Sequence, residues 1–153
     1  MSLFEHKRLG RVLEIALVLM MILAAVLMAT LHWTIPDVTM RVPGEPERLF
    51  EKYYTILMVS GIMAELILWQ AFQVMRNIRK GLAFSRDTVR RLNMVGWDCL
   101  LLAFFYFVAV FVIHKFFMVV VFVAFAVVGL VLFMIAQLFD KASEYKSEND
   151  MTI

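Results

Sequence analysis

Cysteine, proline, glycine and charge are all scarce in this chain. One cysteine, Cys99, among 153 residues leaves no internal disulfide to staple a small secreted scaffold. Three prolines and six glycines exclude a collagen repeat and a Gly/Pro-rich flexible chain. Charged residues make up 18%, against about 25% in soluble domains. Catalytic signatures are missing as well: no phosphate-cradling Gly-rich loop, no HExxH and no GxSxG is present. No enzymatic activity, cofactor or metal is expected.

What fills the chain instead is apolar. Hydrophobic residues reach 63% and the mean hydropathy is +0.82, which names the lipid bilayer as the solvent. A bilayer core of about 30 Å takes about 20 helical residues to cross. Four stretches qualify: residues 12–34, 53–75, 94–113 and 116–138. The fourth opens Phe116-Phe-Met-Val-Val-Val-Phe-Val123, a run of strand-forming types. A lone strand in lipid would leave its backbone groups unsatisfied, so the run is expected to be helical. The first stretch follows Lys7, Arg8 and Arg11 and is too long for an ordinary signal-peptide core, so it reads as an uncleaved signal anchor.

The predicted fold is therefore all-α: a single four-span domain forming an antiparallel four-helix bundle. Eleven Lys and Arg residues lie at the N-terminus, in the 76–93 connection and in the 139–153 tail, against four on the other side (Arg41, Arg48, Lys52 and Lys115). Positive charge stays inside, which predicts cytoplasmic termini. Pro36, Pro43, Gly44 and Pro46 predict a helix-free outer loop over 36–52. His114-Lys115 is short enough to force a hairpin between the last two spans. Small residues at four-residue spacing, Ala25/Ala29 and Ser60/Ala64, suit close helix contact.

A few polar side chains fall inside the spans. Glu65 lies near the middle of the second, and no Lys or Arg is deep in any span. An ionised glutamate there costs about 2.5–3.5 kcal/mol on insertion scales, so a hydrogen-bonded partner is expected; Tyr106, at similar depth on the third span, is the candidate. Asp98, Gln70 and Gln73 lie nearer the cytoplasmic side. Glu14 follows Arg11 by about one turn and can pair with it. Read as function, Glu65 and Asp98 describe a small proton-linked transporter or permease. Read as structure, they join helices through hydrogen bonds worth about 0.6 kcal/mol each. A further alternative is immunity against a membrane-active peptide, with the outer loop as the protective element.

The most distinctive sequence lies on the cytoplasmic face. In the connection, Gly81 suits a helix C′ position, Ser85 an N-cap, and Asp87 the positive end of the helix it opens. The connection is strongly basic; the tail from Asp140 is acidic. Either the two clamp each other or they form a docking surface, whose candidate residues are Phe84, Ser85, Asp87, Arg90, Arg91, Glu148, Asn149 and Asp150. Attraction of the basic loop to anionic lipid is the plainer alternative.

The segment Gly81-Leu-Ala-Phe-Ser-Arg-Asp-Thr-Val-Arg-Arg-Leu92 resembles G-x-P-F-[ST]-x-E-N-x-x-R-L, and Glu148-Asn-Asp-Met-Thr-Ile153 differs at one position from E-N-D-L-T-I. Both are signatures of the bacterial domain-of-unknown-function 2975 family of small four-span membrane proteins. Ala83, Asp87 and Thr88 stand where that family has proline, glutamate and asparagine. The resemblance implies no established activity. It does imply a partner, since such proteins are often encoded beside a small helix-turn-helix repressor. The expected role is thus a membrane protein that sequesters or regulates such a factor, without binding nucleic acid itself; a homo-oligomer is left open.

Overall fold

The computed structural model describes residues 3–39 and 48–151. They form four helices: α1 (Leu3–Thr39), α2 (Arg48–Arg79), α3 (Arg86–Ile113) and α4 (Phe116–Met151). All four are long and apolar enough to cross a membrane, and no strand occurs among the described residues. The β-branched run of Phe116–Val123 is helical throughout, because only a helix satisfies its backbone within its own segment.

Each helix outruns the apolar stretch that predicts it. The 28 residues of α3 span about 42 Å at 1.5 Å per residue, so its first two turns project beyond the hydrocarbon. At the other end of the molecule α1 continues through Pro36 to Thr39, which shortens the loop expected over 36–52. A proline in a last turn removes one backbone bond from a helix end whose carbonyls already lack partners. Pro43, Gly44 and Pro46 lie outside the described residues.

The helices run antiparallel and pack in chain order: α1 on α2, α2 on α3, α3 on α4. No other pair of helix backbones comes together among the described residues. As the middle of the α2–α3–α4 layer, α3 is the most enclosed helix. Its buried residues Val95, Cys99, Leu102, Tyr106, Ala109 and Ile113 recur every three to four positions, the helical period, and Ile56 of α2 and Met118 of α4 pack on the same cluster. Trp97, Leu101, Phe104 and Phe111 on the outer side stay exposed, as suits a lipid-facing stripe.

Glycine sets the closest crossing. A Cβ at Gly129 of α4 would lie 3.1 Å from the Gly96 carbonyl oxygen of α3, so the two backbones touch there. Ala25 and Ala29, the small pair expected to seat α1, are exposed instead. The contact of α1 with α2 is made at Gly61, where an added Cβ would collide with the Met28 side chain.

Candidate functional site

The connection between α2 and α3 is a built turn. Gly81 adopts φ +78°, and its N–H donates to the Ile78 carbonyl at 3.0 Å while the Leu82 N–H donates to the Asn77 carbonyl at 2.9 Å. These two bonds are the Schellman closure that a C′ glycine permits. Three residues later Ser85 caps α3, its hydroxyl accepting from the Thr88 N–H at 3.3 Å. The helix so opened is α3 itself, continuous to Ile113.

Thr88 is the hub of the turn and has no exposed surface. Its hydroxyl donates to the Leu82 carbonyl at 3.0 Å, accepts from the Asn77 amide at 3.3 Å and lies 3.0 Å from the Ser85 hydroxyl. Asp87 is held from two sides, by the Asn77 amide at 2.7 Å and the Arg91 Nε at 2.8 Å. Arg91 also donates to the Gln70 side-chain carbonyl at 3.1 Å. Asp87 stands two turns before the apolar stretch begins at Met94. The hydrogen bonds from Arg91 and then Asn77 hold its carboxyl below the usual carboxylate range. Threonine and aspartate therefore tie down this turn.

Of the eight candidate docking residues, Ser85, Asp87 and Arg91 are thus bonded within the turn. Phe84 is 45% exposed and tilts against Phe139 of α4 with ring centroids 5.2 Å apart. Arg90 is exposed, and its side chain makes no hydrogen bond or ion pair among the described residues. The same holds for the side chains of Arg76, Lys80 and Arg86. Arg79 differs: its guanidinium meets Glu14 of α1 at 2.6 Å. This corrects the expected pairing of Glu14 with Arg11, which is exposed.

The fourth helix carries on to Met151, twelve residues and about 18 Å past the Phe139 contact. Glu148 is exposed on this extension, and the side chains of Asn149 and Asp150 lie outside the described residues.

The polar residues of the spans are separated. Tyr106 is buried and hydrogen-bonded to Ser60 at 2.9 Å, with its ring stacked on Phe125. Glu65 is not its partner. Ser60 and Glu65 are five residues apart and so point about 140° apart around the helix. Glu65 sits one turn beyond Gly61, on the side of α2 turned to α1, and its Oε1 is buried with no hydrogen-bond partner. Asp98 is half-buried on α3 and makes no hydrogen bond or ion pair among the described residues. Cys99 is buried in the packed face. Asn77, Thr88 and Gln70 were not expected in the site; the signal for them is their spacing from Asp87 and Arg91 across a six-residue turn.

A profile of a protein family of unknown function matches residues 26–153, from the middle of α1 through the built turn to the end of the chain. The chain belongs to the DUF2975 family. No curated protein and no solved structure matches it. DUF2975 carries no assigned activity, so the role of this member is argued from its own geometry.

Proposed function

We propose that this DUF2975 protein is a non-enzymatic multi-pass protein of the bacterial inner membrane whose cytoplasmic face docks a small helix-turn-helix regulator and holds it away from DNA. One observation supports the reading above the others. The turn between α2 and α3 satisfies its own polar groups internally and holds Leu82, Phe84, Arg86 and Arg90 exposed on a fixed backbone. Half-exposed Leu82 and Phe84, the latter seated on Phe139, beside exposed cations on an ordered backbone suit a docking platform. The positive-inside count favours a cytoplasmic position for the turn, the start of α1 and the acidic extension of α4. Family resemblance supplies the class of partner.

Crosslinking in native membranes followed by mass spectrometry tests this. The intact chain, a chain lacking 148–153 and the Phe84→Ser/Arg90→Glu double variant are compared. A small DNA-binding protein crosslinked to the intact chain and lost from both variants is the expected result. The same partners on all three chains would overturn the reading.

A second reading rests on Glu65, whose buried and unpartnered Oε1 is the mark of intramembrane groups that handle protons or ions. As a proton-linked permease the protein would use Glu65, with Asp98 as the second carboxylate. Glu65→Gln that inserts normally and leaves transport in whole cells unchanged would end that reading.

A further inference from the structure

At the end of the molecule away from the turn, the first turns of α2 and the last turns of α3 part to leave a cleft of about 350 Å³. Ile56 and Ala109 form its buried floor, Thr55, Phe105, Val108 and Val112 its walls, and Lys52 stands at its mouth. The volume lies within the roughly 300–1,000 Å³ of small-molecule sites.

Position along the bundle decides what fills it. From Phe105 to Val112 the cleft follows about 10 Å of α3, most of one leaflet's half of a 30 Å core. It opens sideways through Val108 and Val112, which are 45% and 43% exposed. Apart from Thr55 and Lys52 its walls are apolar, so water finds few polar partners there and a void forfeits dispersion contacts. Lys52 is exposed, makes no hydrogen bond or ion pair among the described residues, and precedes Tyr53 and Tyr54, the aromatic pair suited to headgroup level. A largely apolar slot about 10 Å long with a cation at its mouth is complementary to the upper part of an acyl chain and the headgroup of an anionic amphiphile.

We propose that this cleft is a binding site for an anionic phospholipid, its acyl chain lying along Phe105, Val108 and Val112 and its phosphate on the Lys52 ammonium. This is independent of the docking role of the opposite end. Near a membrane surface one cation contributes about 1 kcal/mol to binding an anionic lipid, equivalent to about a five-fold preference over a zwitterionic lipid.

The test uses the full chain in vesicles of equal parts phosphatidylglycerol and phosphatidylcholine. One or other lipid carries an acyl-chain diazirine, and crosslinked residues are mapped by mass spectrometry. Labelling of Phe105, Val108 and Val112 is expected to be about five-fold greater from phosphatidylglycerol. Lys52→Gln removes that excess and Lys52→Arg restores it, while labelling near the basic turn stays constant as an internal control. Lys52 lies outside the packed core, so neither change threatens folding. Equal labelling by the two lipids, or an excess that survives Lys52→Gln, overturns the proposal. So does a Val108→Cys variant that forms disulfide-linked dimers in place of lipid adducts, which would assign the cleft to a second copy of the chain.

Discussion

The Glu14 carboxylate of α1 and the Arg79 guanidinium of α2 lie 2.6 Å apart, and this ion pair fastens the first helix to the rest of the protein. The glutamate is the more enclosed partner, with 14% of its side chain exposed against 39% for Arg79. Removing one partner leaves the other charge without compensation, and the loss is expected to be about 1–3 kcal/mol. Glu14→Gln and Arg79→Gln should each lower stability toward unfolding in mixed micelles, and the double variant should lose less than the sum of the two. Additive losses would show that the pair contributes nothing of its own.

Thr88 invites a sharper substitution. Valine has nearly the same shape, but it strips the Leu82 carbonyl, the Asn77 amide and the Ser85 hydroxyl of a shared partner at a site with no exposure. Thr88→Val should destabilise by about 1–3 kcal/mol and raise protease cleavage within residues 80–86. Thr88→Ser keeps the hydroxyl and should leave cleavage near the wild-type rate.

Close contact of α3 and α4 depends on a position without a side chain. Gly129→Val puts atoms against the Gly96 carbonyl oxygen and the Leu100 side chain, a clash relieved only by moving a backbone. Overpacking of this kind costs about 1–3 kcal/mol. A loss of thermal stability with membrane insertion unchanged is the expected outcome, and wild-type stability would show that the helices have room to part.

Asp87 makes the turn sensitive to acid. Its folded pKa lies below the unfolded value because Arg91 and Asn77 favour the carboxylate. The folded state therefore binds fewer protons wherever the two differ. Its contribution is complete above the unfolded pKa and is lost as pH falls through the folded one. Hydrogen-exchange protection factors in the first turn of α3 should be flat between about pH 7 and 5 and fall below about pH 4. Asp87→Asn should abolish that acid step.

Much of this was legible in the sequence because the decisive signals are local. Apolar runs of span length, glycine at C′ and serine at the N-cap each act within a few residues, and lipid leaves the runs no alternative to a helix. What stayed hidden is rotation about the helix axes. Counting inward from the interface gives the depth of Glu65 and Tyr106 but not the side of the helix on which each stands, so two residues at one level were paired although they face different neighbours. Glu14 shows the same gap: a basic residue three positions away is visible in the sequence, and one brought alongside by a second helix 65 positions later is not. The network around Thr88 needed both ends of a turn to be placed before its donors and acceptors could be matched.

Packing in chain order has a consequence for how the protein is made. Each helix after α1 finds a neighbour in the one synthesised just before it, so no helix depends on a segment made more than one helix later. The antiparallel pairs can close one after another as the chain leaves the ribosome, with short loop closures and little unpartnered polar surface at any stage. Glu14 is the earliest to benefit. Its counter-charge arrives with the end of the second helix, before α3 and α4 exist, so the amino-terminal half can settle in the bilayer as a unit on which the remaining helices are laid.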